Sequence, residues 1–161
     1  MSGYSNVTFD EIEIGATASA ERVVGQTEIE ALLLVSGDVV PFNLVEGVTV
    51  EPSDLCVEAV AAEAIISGML ERRLPGPGTR IVSQQLEFNG VIRVGDLVRA
   101  TVTVREKTAR NRNVLFDCTV DAAGETVLRG TVIVEAPHRK ASFPELSRPE
   151  FMIRRNDVFA R

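Results

Sequence analysis

Wound as a helix, the segment Leu55-Cys56-Val57-Glu58-Ala59-Val60-Ala61-Ala62-Glu63-Ala64-Ile65-Ile66-Ser67-Gly68-Met69-Leu70 is apolar around almost its whole circumference. Its content of Ala, Leu and Glu favours that winding. A helix apolar all round must be buried on every side. A membrane span would also bury it, but the segment is short and carries Glu58, Glu63 and Ser67, which a span disfavours. The pattern therefore predicts a buried central helix. Pro52, Ser53 and Asp54 give it a start, with Ser53 or Asp54 as N-cap. Leu74-Pro75-Gly76-Pro77-Gly78 stops it, because neither Pro nor Gly continues a helix. Buried polar groups need partners or a purpose, so Glu58, Glu63 and Ser67 are the first candidates for chemistry.

Strand patterns follow that helix. Arg80 to Asn89 places Val82, Leu86 and Phe88 on one side. Asn89-Gly90 is a turn or bulge signal. Leu97 to Glu106 alternates, with Val98, Ala100, Val102 and Val104 facing one way. Val114 to Asp121 repeats the alternation with Val114, Phe116, Cys118 and Val120, and Ala123-Gly124 is a turn. Thr126 to Ala136 turns Leu128, Val132 and Val134 inward. Successive strands with short connections predict an antiparallel sheet, and a sheet wrapped on one apolar helix gives an α+β domain. Before the helix, residues 1 to 8 read as frayed and Ala16 to Gly25 as a strand. Thr27 and Glu30 form a capping box for a short helix to about Ser36, closed by Gly37. Asp38 to Pro52 reads mostly as loop.

Composition narrows the partners more than the fold. The 161 residues suit one domain. A net charge of −6 argues against nucleic acid, whose phosphates need a basic surface. Cys56 and Cys118 sit in apolar runs and read as reduced core thiols of a cytosolic protein. No basic segment followed by an apolar run opens the chain, so no signal peptide is expected, and the expected location is cytoplasmic. No His, Cys and carboxylate cluster has metal-ligand spacing, and no cofactor is expected. His138, the single histidine, lies after the last strand beside Arg139 and Lys140, where a tail residue is the simpler reading. The chain divides into a domain over 1–136 and a Pro- and Arg-rich tail or linker over 137–161.

One long helix wrapped by an antiparallel sheet resembles the hot-dog fold. Ser36-Gly37-Asp38-Val39-Val40-Pro41-Phe42-Asn43-Leu44 resembles the motif of MaoC-like (R)-specific enoyl-CoA hydratases, in which a His stands at the Asn43 position. Ile66 to Leu70 with Leu74 to Gly78, Leu86-Glu87-Phe88 and Val94-Gly95-Asp96 also fit that family. The likeness covers residues 9 to 136. The tail after it resembles the linker of bifunctional proteins in which a phosphate acetyltransferase domain follows.

The resemblance implies an acyl-CoA thioester substrate, a homodimer, and addition of water to a trans-2-enoyl-CoA. Asp38 then matches the family's Asp, which with the missing His holds and deprotonates the water. Ser67 matches the helix Ser that orients it. Backbone N–H groups at the helix start, around Glu58-Ala59, match those that polarise the thioester carbonyl. Asn43 is a departure: its amide holds a water but takes up no proton near neutral pH. Asp38 alone serves as base only if burial raises its pKa. Glu58-Ala59, where the family has His-Gly, is a second departure, since a carboxylate there opposes developing negative charge. Val57-Glu58-Ala59 with Asn43 also resembles the Glu and amide pairing of hot-dog acyl-CoA thioesterases. A non-catalytic acyl-CoA-binding or assembly domain is the third reading, in which Glu58 complements the helix dipole and Glu63 and Ser67 satisfy each other.

Overall fold

The structure is a computed structural model that describes residues 3–36, 56–57 and 59–144. Its elements in chain order are β1 (Gly3–Ser5), β2 (Thr17–Val23), α1 (Gln26–Ser36), β3 (Cys56–Val57), α2 (Ala59–Arg72) and β4 (Arg80–Phe88). They continue with β5 (Ile92–Arg93), β6 (Leu97–Thr108), a 3-10 turn (Ala109–Asn111), β7 (Asn113–Ala122), β8 (Glu125–Glu135) and β9 (Ser142–Pro144). Five strands form one antiparallel sheet in the order β2-β6-β7-β8-β4. Helix α2 lies against one face of it and touches all five strands, β6 most of all.

The period-2 runs form the core as their spacing predicts. Val98, Ala100, Val102 and Val104 of β6, Val114, Phe116, Cys118 and Val120 of β7, and Leu128, Val132 and Val134 of β8 are all buried. Each large side chain among them contributes about 1.5–3 kcal/mol by leaving water. Ala123 and Gly124 turn β7 into β8 with φ of 50° and 86°, as a tight hairpin requires. Strand β4 departs from the expected pattern at one residue. A bulge between Ile81 and Ser83 shifts the register, so Ile81, not Val82, pairs with buried Val134, and Val82 is exposed. Leu86 and Phe88 keep the expected common face, yet Phe88 is also exposed because β4 is an edge strand of the described sheet.

The helices begin at other residues than the sequence suggests. Helix α2 starts at Ala59, and Ser53 and Asp54, the expected N-caps, lie outside the described residues. Cys56 and Val57 are instead a strand paired with Ile92 and Arg93 of β5, a long-range partner that outweighs local helix propensity. Nor is α2 buried on every side. Ala61, Ala62, Ile66, Met69 and Leu70 are buried, whereas Ala64, Glu71 and Arg72 are exposed. The sheet covers one side, and the apolar residues opposite it are small. Helix α1 is capped two residues earlier than Thr27 predicts. Gly25 precedes its first residue, and the Gly25 N–H donates to Glu28 Oε2 at 2.6 Å. Glu28, at the third helical position, is thus the capping-box carboxylate. Glu30 instead accepts from Gln26 Nε2 at 2.8 Å.

Residues 3 to 8 are not frayed. Strand β1 pairs with β9, and Tyr4 stacks on Phe143 with ring centroids 5.8 Å apart. Asn6, only 1% exposed, ties three segments together. Its Nδ2 donates to Pro77 O at 3.0 Å and Arg139 O at 2.9 Å, and its Oδ1 accepts from Ala141 N–H at 2.9 Å. Lys140 pairs with Glu11, whose carboxyl the Thr8 N–H and Lys140 hold down to about 2. Residues 137 to 144 therefore pack back on the domain. Asn6→Ala strands two carbonyls and one N–H in a buried site. The expected cost is about 2 kcal/mol, read as a lower denaturant midpoint with an unchanged slope.

Candidate functional site

The first turn of α2 leaves its N–H groups without helical acceptors, because no turn precedes them. They carry the positive end of the helix dipole. Ala59 opens that turn. The place where the family likeness puts carbonyl polarisation is therefore a true helix N-terminus. Asp38, Asn43 and Glu58 lie outside the described residues.

Ser67 sits two turns further along α2 and is half-buried. Its expected partner, Glu63, is engaged elsewhere: Gln84 of β4 donates its Nε2 to Glu63 Oε1. The Ser67 hydroxyl makes no hydrogen bond to another described residue, so it is available to a neighbour. Gln84 is a site neighbour that sequence reasoning missed. No spacing rule connects it to Glu63, because only the packing of edge strand β4 along α2 brings them together.

Other reactive residues stand apart. Cys118 is buried, and loss of hydration pushes its thiol up to about 12, which makes it a poor nucleophile. His138 is exposed beyond β8. Among the described residues no three His, Cys, Asp or Glu side chains converge to hold a metal, and no helix is long and apolar enough to cross a membrane. At one end of the sheet an open cavity of about 300 Å³ is lined by Arg80, Arg110, Asn111, Arg112, Asn113 and Glu135. Glu135 bridges two of the arginines, accepting from Arg80 Nη2 at 2.7 Å and Arg112 Nη2 at 2.5 Å. These contacts, Arg80 first, hold its carboxyl below the usual range against the opposing effect of burial.

A helix laid across a five-stranded antiparallel sheet in this way is a hot-dog fold. No family model matches the chain, but individual relatives do. It is 32% identical over 133 residues to the (R)-specific enoyl-CoA hydratase of Rhodospirillum rubrum, an alignment covering 81% of this chain and 92% of that one. It is 28% identical over 138 residues to the 3-hydroxybutyryl-CoA dehydratase of Methylorubrum extorquens, covering 84% and 88%. The unliganded R-hydratase PhaJ1 of Pseudomonas aeruginosa superposes with a TM-score of 0.81 at 28% identity, over 94% of this chain and 99% of that one. The chain belongs to the MaoC-like (R)-specific enoyl-CoA hydratase family.

Proposed function

We propose that this protein adds water across the double bond of a trans-2-enoyl-CoA to give an (R)-3-hydroxyacyl-CoA. The 32% identity to a hydratase, spread over 81% of the chain, carries this reading. A conjugated thioester is a weak electrophile, so the reaction needs carbonyl polarisation and a base near the β-carbon. The N–H groups at the start of α2, which have no helical acceptors, suit the first task. Asp38, held by Ser67, takes the proton of a water that the Asn43 amide positions. The oxygen of that water bonds to the β-carbon, the double-bond electrons shift toward the thioester, and the proton taken by Asp38 is delivered to the α-carbon, which restores the carboxylate. The test is hydration of crotonyl-CoA by the purified protein, with the product resolved by chirality. Formation of the (R)-3-hydroxy product supports the reading; an inert wild type whose Asn43→His variant is also inert sinks it.

The active form is a homodimer in this reading. Strand β4 supports it: from Ile81 to Leu86 this edge carries no charged residue, whereas exposed edges are usually blunted by charge or proline. The opposite edge, β2, carries Glu21 and Arg22. Light scattering after size exclusion should give twice the chain mass of 17.5 kDa. A monomer at micromolar concentration removes the proposal.

A further inference from the structure

The chain as a whole is acidic, with a net charge of −6, yet its cavity at the β6–β7 hairpin gathers three arginines around one carboxylate. Arg80, Arg110 and Arg112 against Glu135 leave an excess of two positive charges. Glu135 engages one Nη of Arg80 and one of Arg112, and a guanidinium has five N–H donors. Arg110 makes no ion pair with any described residue. Asn111 and Asn113 add amide groups to the same wall.

The hairpin is built at a cost that a purely structural turn avoids. Arg112 has φ of 52°, a left-handed conformation that Asn or Gly adopts more readily. Its N–H donates to Ala109 O and its carbonyl accepts from Ala136 N–H, so the backbone is fixed. Its Nε is buried without an acceptor. An unfavourable backbone and an orphaned donor are retained where they hold a guanidinium at a cavity wall, and such outliers gather at ligand sites. Glu135 orients the two arginines flanking it without neutralising the third.

We propose that this cavity is a phosphate-binding site. Guanidinium forks match phosphate oxygens in pairs, and about 300 Å³ is at the lower end of ligand pockets, room for a phosphate and the start of its ester group. The phosphate arrives either on a free ligand or as the terminal phosphomonoester of coenzyme A. The second source rests on the hydratase reading; the site itself does not.

Calorimetry on the full chain at low ionic strength, with inorganic phosphate as the probe, tests the site without any turnover. Saturable one-site binding is expected, weakened about ten- to a hundredfold in Arg110→Ala and in Arg112→Asn. Asn suits the left-handed position, so Arg112→Asn removes the charge and keeps the turn, while Arg110→Ala alters an exposed residue that makes no ion pair with the described residues. Absence of saturable binding, or binding unchanged in both variants, overturns the proposal. Coenzyme A and dephospho-coenzyme A are then titrated alongside. Tighter binding of coenzyme A that is lost in Arg110→Ala assigns the phosphate to the substrate. Equal binding of the two, with inorganic phosphate still sensitive to the variants, assigns it to a free ligand.

Discussion

Asp38→Ala should lower crotonyl-CoA hydration by about 10²–10⁴-fold, the usual worth of a positioned base. The size of the loss depends on Asn43. Where a histidine shares the water, losing one group leaves another that accepts protons near neutral pH. Asn43 accepts none, so Asp38 is the only proton acceptor of the proposed pair. Asn43→His should accordingly raise the rate and broaden the pH range of activity. Its turnover should then survive Asp38→Ala better than the wild type's does. The measurement is kcat and KM for all four combinations. Equal rates for wild type and Asp38→Ala would remove Asp38 from the mechanism. An Asn43→His variant no faster than wild type would show that the amide, not a lost base, is what the site needs. Ser67→Ala should act in the same direction but more weakly, because Ser67 orients the base and bears no proton through the reaction.

The parts of the fold legible in the sequence are those with a local cause. The alternation of Val98 to Val104 and Val114 to Val120 needs only a sheet with one buried face, and both runs are buried as spaced. The Ala123-Gly124 turn needs only its own backbone. What misled was set by distant partners. Cys56 and Val57 read as helix until Ile92 and Arg93 pair with them. Residues 3 to 5 read as frayed because β9 lies more than a hundred residues away. Val82 reads as core because a bulge, visible only against β8, is what turns it out. The site divides in the same way. Asp38, Asn43 and Ser67 were named from a motif, and of these only Ser67 lies among the described residues; Glu63 was legible through its place on an apolar helix. Gln84 and the Arg80, Arg110 and Arg112 cluster were not, since only the packing of β4 along α2 brings Gln84 to Glu63, and only the β4-β8-β7 register gathers the arginines around Glu135.

That register has one narrow point, and Gly130→Ala should show it as a loss of about 3 kcal/mol, the upper end of ordinary overpacking. Gly130 lies in β8 opposite Leu86 of β4 and Cys118 of β7. A Cβ added there would stand 2.2 Å from Gln85 O and 2.8 Å from the Leu86 Cα. Both are backbone atoms, so no side-chain rotation relieves the contact and β4 must move away from β8. The opposing effect is the reduced freedom of the unfolded chain when Gly becomes Ala, worth about 0.4–1 kcal/mol. It is too small to change the sign. For a chain of this length the expected fall in melting temperature is about 6–12 °C. Thr119→Ala, on the exposed face of β7, serves as the control and should change little. The consequence reaches the candidate site, because β4 carries Gln84 and with it the hydrogen bond to Glu63 on α2. Below its melting temperature Gly130→Ala should therefore also lose activity, whereas a destabilising substitution away from β4 should not. A Gly130→Ala protein as stable and as active as wild type would mean that β4 and β8 do not approach this closely, and the placement of Gln84 over α2 would fall with it.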